Sequence, residues 1–115
     1  MRRPRKWRAS LKLSILTPEG PAFQGLVDGV VAPGLQGSFG VLPGHAALLS
    51  ALERGMVKVT VNGAEEFYLL DKGFLEVREG SVVILAAHVE KVKDLETAKR
   101  RLKIVAESDR EAVDA

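Results

Sequence analysis

The N-terminal half of the chain alternates apolar and polar residues in short runs that turn residues separate. Residues 11–16 place Leu and Ile at every second position, with Lys and Ser between them, which is typical of a half-buried strand. A segment rich in Pro and Gly at residues 17–21 ends this run. A second extended run covers residues 22–32, and a third begins at Phe39 after further turn residues. The pattern predicts strands joined by tight turns.

The next part of the chain has a clearer strand pattern. Asn62-Gly63 lies between two alternating runs, and this dipeptide is the strongest short signal for a hairpin, because both central residues of a type I′ turn need positive φ. The predicted strands of this part are residues 57–61, 65–70, 74–78 and 81–88. Short strands at such regular spacing are typical of an antiparallel sandwich or barrel. The predicted fold class is therefore mainly β, an antiparallel β-sandwich.

Near the C-terminus the hydrophobic period changes to that of a helix. Asp94 is the type of residue that caps a helix N-terminus. The apolar residues that follow are spaced three, four and three positions apart, at Leu95, Ala98, Leu102 and Val105. That spacing places them on one face of a helix. We therefore predict three parts: a basic arm at residues 1–9, the β-sandwich at 10–90, and a C-terminal segment with a single short α-helix at 91–115.

Charge is distributed unevenly along the chain. The formal net charge is +2, but the arm contributes Arg2, Arg3, Arg5, Lys6 and Arg8. The rest of the chain is mildly acidic. We expect the arm to be a solvated tail; contact with anionic lipid or a partner subunit is the alternative that stays open, ahead of nucleic acid.

The chain offers little catalytic or metal-binding chemistry. It has no cysteine and two histidines, His45 and His88, neither of which lies in a metal-binding or catalytic motif. Its glycines lack the Lys and the Ser or Thr of a phosphate-binding loop, and the adjacent Glu65 and Glu66 would point to opposite faces of a strand. No apolar run reaches the roughly 18 residues of a membrane-spanning helix. We expect no catalytic residue, no metal and no cofactor.

One segment carries a specific resemblance. Residues 37–59 are GSFGVLPGHAALLSALERGMVKV, and this run resembles the signature of the ATP synthase epsilon subunit, with its Leu-Pro-Gly-His-Ala core and the Gly that precedes a strand. Supporting resemblances at residues 16–20, 73–77 and 82–87 keep the family's order and spacing, with Lys72 at a position where Gly is common. The resemblance extends over about residues 10–108.

The resemblance implies a rotor component of an F-type ATP synthase, which couples ion flow to ATP synthesis without being catalytic itself. In that family the sandwich sits in the central stalk, binds the gamma subunit and rests on the c-ring, in the same complex as the alpha and beta subunits. Matched by motif, the loop towards the c-ring comprises Gly37, Ser38 and Phe39. The surface towards gamma comprises Pro43, Gly44, His45 and Ala46. The implied location is peripheral, at the cytoplasmic face of the bacterial plasma membrane, with membrane contact only through the complex.

The residues of the signature also suit a corner of a sandwich. Pro43-Gly44 favours a tight turn, and the small residues after it allow another chain to approach closely. We expect Leu48, Leu49 and Leu52 to pack back on the core. From these residues alone a corner without any partner stays open, and the resemblance favours an interface. Ser38 stands where the family often has an acidic residue, so we do not expect an ion pair with the ring.

Two features depart from the family pattern. Members commonly end with two antiparallel helices that in many bacteria inhibit ATP hydrolysis, and residues 91–115 have room for one. We therefore expect weak inhibition or none. Some relatives bind ATP through a Leu-Asp-x-x-Arg-Ala motif, and here Glu96 and Lys99 stand in place of Asp and Arg. Because lysine cannot reproduce the bidentate fork of arginine, we expect this remnant not to sense ATP.

A second hypothesis is a stand-alone β-sandwich module that binds a small ligand or a peptide. It predicts a concave pocket with convergent polar groups and a protein that purifies alone. The rotor hypothesis predicts co-purification with gamma and the catalytic subunits.

Overall fold

The computed structural model describes residues 10–103. The predicted basic arm and the predicted helical residues after Lys103 lie outside this range. The described residues form ten strands and part of one helix: β1 (Leu11–Thr17), β2 (Gly20–Val27), β3 (Gly29–Gly34), β4 (Gly37–Val41), β5 (Leu48–Leu52), β6 (Gly55–Val61), β7 (Ala64–Leu70), β8 (Gly73–Arg78), β9 (Ser81–Ala86), β10 (Val89–Val92) and helix α1 at residues 95–103.

The strands form one sheet that curls on itself. Its order is β10-β7-β6-β3-β5-β8-β9-β1-β2, and β4 pairs with β3 beside this path. The ends of the path approach each other, because β2 contacts both β10 and β6. All pairings are antiparallel except that of β1 with β9, which is parallel. The predicted fold class, a mainly antiparallel β-sandwich followed by a short helix, is confirmed.

The core is aliphatic and lies inside the curled sheet. Leu13 and Ile15 of β1 pair with Val82 and Ile84 of β9, and all four side chains are fully buried. The alternation in the sequence of β1 therefore turns its Leu and Ile residues inward. Burying one such side chain stabilises the fold by about 1.5–3 kcal/mol.

Tyr68 brings a polar atom to this core. Its ring packs edge-on against Phe23, with ring centroids 6.1 Å apart, and its hydroxyl donates a hydrogen bond of 3.0 Å to Glu66 Oε1. The same Glu66 oxygen lies 3.2 Å from Lys91 Nζ. Burial, followed by the hydrogen bond to the Glu66 carboxylate, raises the pKa of Tyr68 above its ordinary value of 10.0. The hydroxyl therefore stays protonated and keeps its partner.

β5 corrects one expectation from the sequence. Leu52 is 3% exposed and Leu48 packs against the core, but Leu49 is 70% exposed. The expectation that all three leucines pack on the core is therefore wrong for Leu49. The physical reason is that residues adjacent on a strand point to opposite faces, and the sequence pattern does not reveal that this segment is a strand.

Two turns show how the sequence controls the path of the chain. The sequence predicts one extended run at residues 22–32, but the structure has two strands there, β2 and β3, which Asp28 separates. The backbone N–H of Asp28 donates a hydrogen bond of 2.7 Å to Thr60 O. Between β6 and β7, Asn62 has a φ of 51° and Gly63 a φ of 81°. Both values lie in the left-handed region that the predicted type I′ turn requires, so the predicted hairpin is confirmed.

Helix α1 begins where the sequence predicts it. Asp94 Oδ1 accepts a hydrogen bond of 2.7 Å from the backbone N–H of Thr97, which is the interaction of an N-cap. Hydrogen bonds from the side chain and the backbone of Thr97 lower the pKa of Asp94. Ala98 is fully buried in a small cluster with Phe67 and Val92, so α1 covers β7 and β10. Strand β10 ends at Val92, so the last strand extends two residues beyond residue 90, where the sequence predicts the end of the sandwich.

Candidate subunit-binding surface

The β3–β4 hairpin carries the loop predicted to face the c-ring. Gly34 pairs with Gly37 at the end of the ladder, and Leu35 and Gln36 form an exposed tip. Gly37 has a φ of +119°, a conformation that residues with side chains rarely adopt. Gly37 and Ser38 are both exposed, so two of the three residues predicted for this loop lie on the surface.

Phe39, the third of these residues, takes part in the core. Its half-buried side chain packs against the core cluster, and a Cβ built on Gly34 would lie 2.9 Å from Phe39 Cδ1. The exposed apolar residue of the hairpin is Leu35, which is 61% exposed. Sequence reasoning missed Leu35, although its position between two turn glycines was an available signal.

The corner between β4 and β5 holds the residues predicted to face gamma. The backbone N–H of His45 donates a hydrogen bond of 3.1 Å to Leu42 O, which closes a turn around Pro43 and Gly44. Gly44 has a φ of +85°, and His45 Nδ1 lies 2.7 Å from Ala46 O. Pro43 is half-buried, whereas Gly44, His45 and Ala46 are exposed. The corner is thus a continuous stretch of accessible surface.

An open cleft joins the hairpin to the corner. Its volume is about 670 Å³, and it lies between the hairpin and β5. The three residues predicted to face the ring line this cleft, together with His45 and Leu49. The other residues predicted to face gamma, Pro43, Gly44 and Ala46, are outside its lining. The structure therefore brings the ring-facing group and His45 together.

The segment that forms the hairpin, the corner and β5 lacks Asp, Glu, Lys and Arg side chains. Residues 29–52 contain no Asp, Glu, Lys or Arg, although these residues make up 28% of the chain. Three leucines of this charge-free segment are more than half exposed: Leu35 at 61%, Leu42 at 65% and Leu49 at 70%. Depletion of charge together with exposed apolar residues is typical of the centre of a protein–protein interface. The arrangement favours a surface that another chain covers.

A second pocket lies between α1 and the sandwich. Its volume is about 330 Å³, and its lining includes Arg54, Asp71, Glu90 and Arg101. Arg54 Nε lies 2.8 Å from Asp71 Oδ1, and Arg101 Nη2 donates a hydrogen bond of 2.6 Å to Glu90 Oε2. The charges in this pocket are therefore engaged with one another.

The two residues of the ATP-motif remnant do not form part of that pocket. Glu96 and Lys99 are exposed on α1, and neither borders the pocket. Within residues 10–103, no group of three or more His, Cys, Asp and Glu residues could hold a metal ion. No helix in the described part of the chain is both long enough and apolar enough to cross a membrane. The charge-free hairpin, cleft and corner remain the candidate site.

The β-sandwich matches a known protein family over its whole length. The family model described as the beta-sandwich domain of the ATP synthase delta/epsilon chain matches residues 10–92. The chain belongs to this family. The resemblance to the epsilon subunit found in residues 37–59 is thereby confirmed.

Bacterial members of the epsilon family are similar to this chain. The ATP synthase epsilon chain of Carboxydothermus hydrogenoformans is 44% identical over 94 residues, which cover 80% of this chain and 70% of that protein. The epsilon chain of Dehalococcoides mccartyi is 42% identical over 91 residues, which cover 79% of this chain and 65% of that protein. This chain thus spans roughly two thirds of the length of these epsilon chains.

Two solved structures share the fold of this family member. A chain of the Euglena gracilis mitochondrial ATP synthase, from a structure of OSCP, F1 and the c-ring, has a TM-score of 0.70 at 24% identity, covering 84% of this chain and 63% of that one. A chain from the central stalk and c-ring of the Tetrahymena thermophila mitochondrial ATP synthase has a TM-score of 0.61 at 16% identity, covering 87% and 91%. At these identities the likeness shows a common fold.

Proposed function

We propose that this chain is the epsilon-type subunit of the central stalk of an F-type ATP synthase, where it joins the gamma subunit to the c-ring. It is a non-catalytic subunit that helps to couple ion flow to ATP synthesis by transmitting torque between these partners. The observation that supports the proposal most is the charge-free surface of residues 29–52 with its exposed leucines. Membership of the ATP synthase delta/epsilon family indicates which partners would cover it.

The close packing of the hairpin suits a part that transmits torque. A Cβ on Gly34 would lie 2.9 Å from the Phe39 ring, and a Cβ on Gly55 would lie 2.6 Å from Pro33 Cβ. Interiors packed this closely have low compressibility and transmit strain. A force applied at the tip of the hairpin therefore reaches the body of the sandwich.

The hairpin tip is the part that we assign to the c-ring. Leu35, Gln36, Gly37 and Ser38 are exposed there and uncharged. Contact with the ring therefore depends on apolar burial and hydrogen bonds instead of ion pairs. Phe39 contributes by supporting the tip from the core side.

The corner is the part that we assign to gamma. Gly44, His45 and Ala46 are exposed and, apart from the imidazole, small. Small residues at a fixed turn let the backbone of another chain approach closely. Pro43 holds the turn in place through its restricted φ.

The subunit is associated with a membrane complex, and we assign it to the cytoplasmic face of the bacterial plasma membrane. Its attachment there is peripheral and depends on gamma and the c-ring, with the alpha and beta subunits in the same complex. The bacterial origin of the epsilon chains that it resembles supports this assignment.

A stand-alone ligand-binding module has less support. The cleft of about 670 Å³ is open, and its polar side chains are Gln36, Ser38, His45 and Ser50. Two of these already bond to the backbone, because the Ser50 hydroxyl donates to Ala51 O at 3.1 Å and His45 Nδ1 contacts Ala46 O. A small-molecule site needs polar groups that converge on the ligand. The cleft suits a second protein chain better.

Co-expression tests the proposal. The tagged chain is expressed together with the gamma subunit of the same ATP synthase, and we expect gamma to co-purify in equal amounts. Ala46→Glu introduces a charge at the corner and should reduce the recovery of gamma, because a charge buried in an interface without a partner is unfavourable. Ala64→Glu is the matched control, since Ala64 is also exposed but lies in the β6–β7 hairpin. Purification of the wild-type chain without gamma contradicts the proposal.

A further inference from the structure

The turn between β6 and β7 carries a dipeptide that is prone to a spontaneous chemical change. In an Asn-Gly sequence, the backbone nitrogen of the glycine can attack the side-chain amide carbon of the asparagine and close a five-membered cyclic imide, a succinimide. Glycine favours this attack because it has no side chain to hinder the close approach. Asn62 is the single asparagine of the chain, and Gly63 follows it.

Both residues of this turn are accessible to solvent. Asn62 and Gly63 are exposed, and the ladder between the two strands ends just before them, at the pair Val61 and Ala64. Loop tips of this kind open locally at a small cost in free energy. The turn can therefore move towards the geometry of the attack, and water can reach the imide, while the rest of the hairpin stays paired.

A carboxylate faces the nitrogen that makes the attack. The backbone N–H of Gly63 donates a hydrogen bond of 3.4 Å to Asp28 Oδ2. The backbone N–H of Asp28 in turn donates a hydrogen bond of 2.7 Å to Thr60 O, which holds Asp28 beside the turn. Gly63 N has to lose its proton when it bonds to the amide carbon. A carboxylate at hydrogen-bond distance is suited to accept that proton.

We propose that Asn62 is a site of spontaneous deamidation in the folded protein, with Asp28 as the general base. A bond forms between Gly63 N and Asn62 Cγ while the proton of Gly63 N passes to Asp28 Oδ2. The bond between Asn62 Cγ and Nδ2 then breaks, and the nitrogen leaves as ammonia with the proton that Asp28 returns. One water molecule opens the succinimide to aspartate or isoaspartate at position 62. The sum is the hydrolysis of an amide to a carboxyl group and ammonia, without any oxidant or cofactor.

Two other dipeptides that end in glycine show what distinguishes this turn. Asp28-Gly29 could close the same ring with loss of water, but Gly29 is buried and a Cβ on it would lie 3.0 Å from Leu42 Cδ2. Gln36-Gly37 is exposed, but its glutamine would have to close a six-membered ring, which forms more slowly. Asn62-Gly63 combines the reactive side chain, the exposure and the carboxylate.

The modification changes both the charge and the length of the turn. Either product places a second carboxylate close to Asp28, and like charges repel each other. Isoaspartate also adds a methylene group to the backbone, which does not suit a two-residue hairpin loop. After prolonged incubation, amide hydrogen exchange should therefore be faster at Val61 and Ala64.

The test incubates the folded full-length chain at neutral pH and follows the peptide that contains Asn62 by mass spectrometry. Asp28→Asn keeps the shape of the side chain and an oxygen that accepts the hydrogen bond, but it cannot take up the proton. Trypsin cleaves after Lys58, so positions 28 and 62 are measured in different peptides. Asp28→Ser removes the base in a second way, and Asp28→Glu is the matched control that keeps a carboxylate.

Two further controls separate the effect of Asp28 from the effect of folding. Circular dichroism confirms that each variant is folded, and the same rates are measured in urea, where the contact between Asp28 and Gly63 is absent. Asn62→Gly suits the same turn but has no side chain to react. Its amide hydrogen exchange should not change during the incubation.

We expect deamidation of Asn62 to be at least about tenfold slower in folded Asp28→Asn and Asp28→Ser than in the wild-type chain, since a positioned general base contributes about 10²–10⁴-fold. Asp28→Glu should keep most of the wild-type rate, and all four chains should react at the same rate in urea. Rates in folded Asp28→Asn and Asp28→Ser that equal or exceed the wild-type rate overturn the inference. An Asn62 that stays intact in the folded wild-type chain, after the chain in urea has reacted completely, also overturns it.

Discussion

Arg101 of α1 and Glu90 of β10 form a two-point contact that holds the helix against the sandwich. Arg101 Nη2 donates a hydrogen bond of 2.6 Å to Glu90 Oε2, and Nη1 donates to Glu90 Oε1. Bidentate pairs of this kind are the strongest ion pairs that arginine makes, and the two side chains are 45% and 40% exposed. Together with the Asp94 cap and the buried Ala98, this pair determines where α1 lies.

Removing the guanidinium should loosen α1 while the sandwich stays folded. An exposed ion pair contributes about 0.2–1 kcal/mol, and Arg101→Gln should lower the free energy of unfolding by no more than that. Amide hydrogen exchange should accelerate in residues 95–103 and stay unchanged in β1. Arg100→Gln is the control, since Arg100 is exposed on another face of the helix. Equal rates of amide hydrogen exchange in residues 95–103 of the two variants would show that the ion pair with Glu90 does not hold the helix.

The start of α1 should respond to acid. The hydrogen bonds from Thr97 lower the pKa of Asp94, so the folded helix favours the carboxylate. The stabilisation that the Asp94 carboxylate gives to the helix is complete at pH values above its ordinary pKa of 3.8. This stabilisation is lost as the pH falls through the lower pKa that Asp94 has in the folded protein. Amide chemical shifts of residues 95–98 should report this loss. Asp94→Asn still caps the helix but does not titrate, so a similar acid transition in that variant argues against the carboxylate as its cause.

The hydroxyl of Tyr68 should ionise at a higher pH in the folded protein than in the unfolded chain. It is the single tyrosine of the chain, so the ultraviolet absorbance of tyrosinate reports on it alone. Because its pKa is raised above 10.0 in the folded state, the unfolded chain loses this proton first, and stability should fall as the pH rises above 10.0. The variant Tyr68→Phe should not show this fall of stability at high pH. At neutral pH it should have a free energy of unfolding about 0.5–1.5 kcal/mol lower than the wild-type chain, through loss of the hydrogen bond to Glu66. Tyrosinate formation near pH 10.0 in the folded protein would contradict the prediction.

Gly73 should not tolerate a side chain. A Cβ at this position would lie 2.2 Å from Leu85 O, a backbone atom of the paired strand β9. Gly73→Ala should therefore lower the free energy of unfolding by about 1–3 kcal/mol, the usual cost of overpacking. Gly40→Ala is the control, because the nearest atom to a Cβ on Gly40 is 3.9 Å away. Urea denaturation compares the two, and equal stabilities would mean that β8 and β9 can separate at little cost.

The contact of the hairpin tip with the c-ring should be insensitive to salt. The exposed tip, residues 35–38, carries no charged side chain, so screening has no ion pair to weaken there, although the Debye length falls from about 10 Å at 0.1 M salt to about 3 Å at 1 M. Affinity for purified c-ring should therefore change little over that range. Leu35→Ser should weaken binding equally at both salt concentrations.

Ser38→Glu provides the comparison for this experiment. It adds a charge to the same tip and should make the affinity for the ring depend on salt. A steep loss of affinity with salt for the wild-type chain would mean that charged residues outside the hairpin carry the contact.

The fold class and the family could be predicted from the sequence because both depend on local pattern. Asn62-Gly63 between two alternating runs specifies a hairpin, and φ values of 51° and 81° show the turn that it requires. Asp94 likewise specifies the start of a helix, and its bond to Thr97 is present. Each signal involves residues only a few positions apart.

The candidate surface could be predicted only in part. Ser38 and His45 are candidates from the sequence, and both line the cleft, but the positions of Leu49 and Phe39 depend on which strands pair. Leu49 faces outward because β5 pairs with β8 in the register that places Leu48 opposite the buried Val77. Adjacent leucines in a sequence give no indication of which one faces the core.

The sequence by itself determined the strands with strong alternation, the capped helix and the charge-free segment, because these properties belong to neighbouring residues. Only the tertiary structure decided that Leu16, Ala51, Phe74 and Leu85 form one row and that Leu35 faces outward while Phe39 faces inward. The physical reason is that hydrogen bonds between strands distant in sequence set the register, and the register decides which side chains share a face.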